Sequence, residues 1–294
     1  MNPLYLNDWD DFEVTHTMSN VSDAKSSYES YLTFSKLLDE LPKQELVRRG
    51  WMSSIDDLSS LVPMLQDIHS HKENALFRKS DISNIALCAV WKSRVSTLAK
   101  IAVFSQGLSK FQSLDTNFLK KLVKLSVDVS SILSLPKILA KKGIVLVYEK
   151  YLPKMKLDGV VFTLESGHPV IGISFRFPRL DHFWFTLMHE LAHINLHMNL
   201  LYEPIFDDLD NITEEVEEIK ANRLAKESFV ERYLWRNCPV KYDKNDETVI
   251  EFAHKIGIHP AIVAGMLQKE LNEFHMFRKI VDEVDVRKEV FGDD

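Results

Sequence analysis

The sequence predicts a mixed α+β protein in which a helical region precedes a domain with a small antiparallel sheet. Glycine makes up only 9 of the 294 residues, well below the roughly 7% of average proteins, which favours helices over turn-rich β structure. Apolar residues recur at helical spacing over residues 35–139. Near residue 136 the period changes from 3.6 to 2, which indicates that strands begin there.

The length and the pattern changes divide the chain into three parts. A chain of 294 residues, 45% of them apolar, is long enough for two hydrophobic cores. Residues 1–40 are polar and are predicted to form a poorly ordered segment. Residues 41–135 are predicted to form a helical domain. Residues 136–294 are predicted to form the domain that contains the sheet, with a helical C-terminus.

Each element of the second domain follows from its own pattern. Three segments are either continuously apolar or alternate between apolar and polar residues, and they are predicted to be strands: 144–148, 159–164 and 169–175. The last two are predicted to pair as a hairpin. A strongly apolar run over 181–199 predicts a buried helix. A capped, charged run predicts a second helix over 213–232.

Composition also bounds the location and the partners of the protein. The formal charge of −7 argues against general binding of polyanions. Two separate cysteines are too few for a disulfide framework and suit a reducing compartment. No signal peptide and no apolar run of membrane-spanning length is evident. We therefore expect a cytoplasmic protein without a membrane partner.

Residues 189–193 read His-Glu-Leu-Ala-His, an H-E-x-x-H motif. On a helix, His189 and His193 share one face and can bind one Zn²⁺, while Glu190 lies beside them as a general base for water. A match by chance is expected only ~0.03 times in a chain of this composition. The alternative is a buried helix whose histidines bond to backbone carbonyls. The metal site is the favoured interpretation, because most other residues of this helix are apolar and buried polar side chains need partners.

A catalytic zinc site needs a third protein ligand and an open position. A metzincin-type histidine would stand at position 199, which is Asn199. His197 lies about 12 Å along the helix axis from His189 and is too distant to share the ion. We expect His197 to form a hydrogen bond near the helix end, with an orienting contact to a ligand as the alternative.

Glu218 is the predicted third ligand, because it shares an inward-facing stripe with Ala221, Asn222 and Ala225. The alanines would permit close approach of the two helices. Asn222, one turn after Glu218, is predicted to orient a ligand by hydrogen-bonding a ring nitrogen or the carboxylate. The other glutamates of this charge run are expected to face solvent: Glu214, Glu215 and Glu217.

The H-E-x-x-H motif and the later run Glu218-Ile-Lys-Ala-Asn-Arg-Leu-Ala together resemble the ImmA/IrrE family of metallopeptidases. The resemblance covers roughly residues 136–270 and includes the segments 170–176 and 257–267. It implies a zincin-like fold and an endopeptidase that cleaves a repressor of the XRE helix-turn-helix type, inducing mobile-element, defence or stress genes. Many relatives carry such a DNA-binding domain themselves. No pattern of that type precedes residue 136 here.

The expected chemistry uses one Zn²⁺, with Mn²⁺ or another divalent ion as the alternative. Two imidazoles and one carboxylate leave the ion a net positive charge, which lowers the pKa of bound water toward ~7. Glu190 would take the proton of that water and pass it to the leaving amine. The acidic loop over 203–210 would select a basic substrate segment or serve as a solvated connector. Five residues are candidates for a second oxyanion donor: Arg176, Arg179, His182, Tyr202 and His259.

Two other functions are alternatives to the peptidase. The first is a DNA-binding regulator or antitoxin-like protein with a non-catalytic or sensing metal site. Residues 92–156 carry thirteen basic against three acidic side chains, and residues 253–263 have a helix-turn-helix rhythm. DNA binding is not favoured, because few aromatics accompany these basic residues. The second is a protein-interaction module, in which the N-terminal helices would contact a neighbour-encoded protein.

Overall fold

The computed structural model describes residues 35–57, 59, 61, 82–202, 204–207 and 216–293. Most of the segment predicted to be poorly ordered, residues 1–34, lies outside this range. Residues 35–40, its last part, are helical. The acidic residues Glu214 and Glu215 and the predicted cap of the helix over 213–232 also lie outside the described residues.

The N-terminal region is helical, as predicted. Asp115 fixes the start of one helix by accepting a hydrogen bond from the Phe118 backbone N–H at 2.6 Å, an N-cap arrangement. Two 3₁₀ segments, Val123–Val127 and Val129–Ser134, lead toward the sheet. The helices of this region are α1 (35–40), α2 (Lys43–Arg48), α3 (Ile82–Gln106), α4 (Thr116–Leu122) and α5 (Leu135–Ala140).

A four-stranded sheet follows, in the order β1-β3-β2-β4. Its strands are β1 (Val145–Tyr148), β2 (Gly159–Thr163), β3 (Pro169–Ile173) and β4 (Ile205–Asp207). The predicted hairpin is confirmed, because β2 pairs antiparallel with β3. β4 also pairs antiparallel with β2. β1, in contrast, pairs parallel with β3, so that the sheet is mixed and not wholly antiparallel. Strand periodicity does not encode which edge a strand joins.

From residue 180 onward the described residues form helices, apart from β4 and the connecting turns. The two helices that matter for the site are α6 (Leu180–His197) and α7 (Val216–Phe229). The remaining helices are α8 (Arg232–Arg236), α9 (Asp246–Ile256), α10 (Pro260–Leu271), α11 (Arg278–Val281) and α12 (Val286–Phe291). None of the helices in the described ranges is both long and apolar enough to cross a membrane.

The sheet separates two apolar clusters. Because side chains alternate along a strand, Val161 and Ile171 contribute to the cluster that contains α6 and the C-terminal helices. Val160 and Val170 point the other way and pack with α3. The mixed α+β fold is therefore confirmed. The helical region packs directly on the sheet through α3, and the boundary at residue 136 stays a prediction.

Candidate metal centre

The H-E-x-x-H motif lies on α6, in the interior of the domain. His189 and His193 are 2% and 0% exposed. Their ring centroids are 4.6 Å apart, and their Nε2 atoms are 2.9 Å apart. The one-turn spacing therefore directs both ring nitrogens to one point, as the sequence predicts.

Glu218 reaches the same point from α7. Its Oε2 lies 3.1 Å from Nε2 of His189, and its Oε1 lies 3.3 Å from Nε2 of His193. The small residues Ala221 and Ala225 are buried on the same helix, which lets α7 lie close to α6. The structure thus brings together the three residues predicted to bind the metal.

The donor atoms fit a zinc ion. In tetrahedral zinc sites the ligands lie about 2.0–2.1 Å from the ion, which places neighbouring donor atoms ~3.3 Å apart. The three separations here, 2.9, 3.1 and 3.3 Å, are close to that value. His189, His193 and Glu218 form a group that could hold a metal ion, and two imidazoles with one carboxylate are a common set in catalytic zinc sites.

The environment keeps Glu218 ionised. Burial alone would raise the pKa of this carboxyl group. Hydrogen bonds and charge interactions with His189 and His193 outweigh that effect and hold the pKa of Glu218 well below its usual range. A carboxylate that stays ionised is the form that a metal ligand requires.

The Glu190 side chain is fully buried next to this group. Its carboxylate packs against Gly159, the first residue of β2, so closely that a Cβ at that position would overlap Oε1 of Glu190. The same Cβ would lie 2.7 Å from Cγ2 of Thr186. Gly159 therefore permits the close approach of α6 to the sheet at the predicted base. The sequence motifs do not identify Gly159 as a functional residue, although a glycine that opens a strand can signal such an approach.

Replacing Gly159 by Ala is expected to lower cleavage about 10²-fold, because misplacing a catalytic group by ~1 Å can cost that much. Metal content should stay at the wild-type level, because the atoms nearest to the added Cβ belong to Glu190 and Thr186 and not to a ligand. The cleavage rate and the amount of bound metal are measured on the same preparation of each variant. Gly172→Ala is the matched control: its Cβ would meet Trp91, Val95 and Val160 at 3.0 Å, away from Glu190. Equal losses in both variants would refute this role.

His197 contacts one of the predicted ligands. Its Nδ1 lies 3.2 Å from Nδ1 of His193, and it is 6% exposed. Burial, followed by the interaction with His193, lowers the pKa of His197. With its proton on Nε2, the neutral His197 ring can accept a hydrogen bond at Nδ1. His193 must carry its proton on Nδ1 when Nε2 binds a metal. The structure therefore provides the orienting contact that the sequence offered as the second alternative for His197.

Asn222 is placed differently from the prediction. It is exposed, and within the described part of the chain its amide forms no hydrogen bond to His189, His193 or Glu218. The helical stripe that faces α6 continues from Glu218 through Ala221 and Ala225, both buried. Position 222 falls outside that stripe, so the predicted orienting bond from Asn222 is absent. His197 makes the corresponding contact from α6 itself.

Replacing His197 by Ala is expected to weaken metal binding by ~10- to 100-fold, the usual effect of removing a group that orients a ligand. His197→Gln should restore part of the affinity, because the amide oxygen can accept the His193 proton. Competition with a chelator measures both values. Asn222→Ala serves as the control and should bind metal as tightly as wild type. Unchanged affinity in His197→Ala would show that the contact does not orient His193.

The five candidates for an oxyanion donor have different surroundings. Arg179 pairs with Asp181 at 2.7 Å and also contacts Gln268. His259 caps α10 by accepting from the Ala261 backbone N–H. Two others hold side-chain contacts: Arg176 lies 3.0 Å from Asp158, and the His182 ring centroid is 4.5 Å from that of Phe177. Tyr202 is 76% exposed.

The candidate site lies in a segment that matches a known protein family. Residues 140–267 match the Peptidase_M78 family model, which is described as the IrrE N-terminal-like domain. The matched segment runs from the end of α5 into α10 and contains the H-E-x-x-H motif and Glu218. A comparison with curated proteins gave no significant match. Residues 140–267 of this chain are therefore similar to the IrrE N-terminal-like domain of the Peptidase_M78 family.

Proposed function

We propose that the chain is a zinc-dependent endopeptidase that cleaves a regulatory protein in the cytoplasm. The observation that carries this proposal is the group formed by His189, His193 and Glu218 beside the buried Glu190. Zinc is favoured because two imidazoles and one carboxylate form a common catalytic zinc set. Mn²⁺ or another divalent ion is the alternative.

In this mechanism His189, His193 and Glu218 would hold the ion, which would act as a Lewis acid toward the scissile carbonyl and water. Glu190 accepts a proton from the attacking water and donates it to the leaving amine. The contact with Gly159 restricts where the Glu190 carboxylate can lie. The surrounding burial excludes bulk water, which strengthens the interaction of this carboxylate with charge that develops nearby.

The substrate class rests on the family resemblance and on charge. The favoured substrate is an XRE-type repressor, or another protein encoded beside this chain, whose cleavage would induce mobile-element, defence or stress genes. Residues 201–233 carry ten acidic against four basic side chains, which favours a basic substrate segment. Part of the acidic loop forms β4, whose residue 207 pairs in register with Gly159. This segment therefore borders the predicted base.

Co-expression with each neighbour-encoded protein, followed by mass spectrometry, tests this proposal. We expect one of these proteins to yield two fragments that share a single scissile bond. Metal-site variants such as Glu218→Ala should yield none. Intact partners in every combination, from a chain that has bound its metal, would contradict the proposal and favour the interaction module.

The burial of one helix argues against the alternative function of DNA binding. α9 and α10 do form a helix-turn-helix arrangement around Gly257, whose φ is +68°. However, every residue from Ala261 to Gln268 in α10 is buried, so this part of the helix has no free face for a DNA groove. The basic residues over 92–156 remain the observation that favours DNA. Salt-dependent binding to duplex DNA would support that alternative.

A further inference from the structure

A cavity lies apart from the metal centre. It has a volume of about 490 Å³ and is formed where α2, the segment after β1 and α12 meet. Neither Glu190 nor any of the three predicted metal ligands lines it. The volume is within the range of about 300–1,000 Å³ that small-molecule sites occupy in proteins. We call this cavity the basic pocket.

The basic pocket carries an excess of positive charge. Five cationic side chains line it, against the two carboxylates of Glu45 and Asp293. Asp293 lies 3.2 Å from one of the lysines, and both of these side chains are largely exposed. The cationic residues are Arg48, Arg49, Lys150, Arg287 and Lys288. This excess is notable in a chain whose formal charge is −7, and it predicts an anionic ligand.

Backbone carbonyls fix the two central arginines, Arg49 and Arg287. Arg49 also pairs with Glu45 at 2.6 Å, a carboxylate that it shares with Arg48. Arg49 donates to the backbone carbonyls of Lys150 and Tyr151 at 2.8 and 2.9 Å. Arg287 donates to the carbonyl of Phe175 at 2.7 Å and to that of Arg176. Carbonyl oxygens hold a guanidinium in place without cancelling its charge. Within the described ranges, Arg287 forms no ion pair with a carboxylate, so its charge is available to the pocket.

Aromatic rings support the same cations. The Arg287 guanidinium carbon lies 5.0 Å from the centroid of the Tyr151 ring, and Lys150 Nζ lies 5.0 Å from that of Phe291. Such cation–π contacts stabilise a cation while it keeps its charge. Cations that are ordered before a ligand arrives lose less side-chain entropy on binding.

We propose that the basic pocket binds a small ligand that carries one or more phosphate groups. Guanidinium groups match the geometry of phosphate oxygens, and lysines add point charges beside them. The volume suits a small molecule, and an acidic peptide is the competing ligand class. This proposal goes beyond the peptidase and does not depend on it.

The basic pocket is connected to the candidate site by a short stretch of chain. Arg287 binds the carbonyl of Arg176, and the Arg176 side chain pairs with Asp158 at 3.0 Å. Asp158 directly precedes Gly159, which contacts Glu190. A ligand in the pocket would therefore lie close to residues that position the predicted base.

Titration calorimetry of the full chain with inorganic pyrophosphate tests the proposal. We expect saturable binding that weakens as salt is added. The double variant Lys150→Gln/Lys288→Gln should bind at least tenfold more weakly, because each charge-assisted contact contributes roughly that factor or more. Circular dichroism should show that this variant remains folded, since Lys288 is exposed and Lys150 is partly exposed.

The matched control is Lys141→Gln/Lys279→Gln, which removes the same charge from exposed positions outside the pocket. It should bind pyrophosphate as the wild type does. Absence of binding at millimolar pyrophosphate, or equal weakening in both double variants, would overturn the proposal. Tighter binding of a hexaglutamate peptide than of pyrophosphate would overturn the ligand class.

Discussion

Glu190→Gln is expected to abolish peptide cleavage and to leave metal content and folding unchanged. General acid–base catalysis typically contributes 10²- to 10⁴-fold to a rate, and an amide cannot accept the proton from water. The replacement keeps the shape of the side chain, which matters because Glu190 is fully buried and packs against Gly159. The measurement is the rate of fragment formation from the natural substrate, with metal quantified on the same sample.

A matched control for this experiment is Glu217→Gln, on α7 one residue before the predicted ligand and only partly buried. It should cleave at the wild-type rate. If Glu190→Gln cleaved as fast as wild type, Glu190 would not be the base. If it lost its metal, the replacement would have disturbed the ligands, and Gly159→Ala would become the cleaner test of the role of Glu190.

Glu218→Ala and His193→Ala are each expected to remove the metal from the purified protein. Each variant deletes one of three donor atoms that lie within 4.8 Å of one another. Two remaining ligands are too few for the tight binding of catalytic zinc sites, which use three protein ligands. Elemental analysis of the wild type should give about one ion per chain, and analysis of the variants should give almost none.

Glu217→Ala provides the control, because it changes the neighbouring carboxylate on the same helix. Its metal content should equal that of the wild type. Retained metal in Glu218→Ala together with loss in Glu217→Ala would show that the wrong carboxylate was assigned. Because His193 is completely buried, thermal unfolding should accompany the measurement. Glu218→Gln offers a variant of nearly unchanged shape if either alanine variant unfolds.

The convergence of His189, His193 and Glu218 could be predicted from the sequence because helical geometry is regular. The spacing of four residues fixes the relation of the two histidines. The small residues Ala221 and Ala225 indicate which face of α7 approaches α6. The hairpin of β2 and β3 was predictable for a related reason, since two alternating runs joined by a short turn pair with each other.

Two other features, the pairing of β1 and the role of Gly159, depend on contacts between distant segments, which the sequence pattern does not encode. The parallel pairing of β1 with β3 depends on which sheet edge β1 joins. The role of Gly159 depends on how closely α6 approaches β2. The spacing of four residues from Glu218 predicts an orienting hydrogen bond from Asn222, but the position of Asn222 on α7 leaves it exposed. His197 makes that contact because its ring lies beside His193 on the same helix.

Anomalous scattering from a crystal of the zinc-loaded protein, recorded at the zinc absorption edge, tests the central claim most directly. The account predicts one strong peak bounded by Nε2 of His189, Nε2 of His193 and a carboxylate oxygen of Glu218, each ~2.0–2.1 Å from the ion. An ordered crystal with no peak at this position, or with zinc held by other side chains, would contradict it.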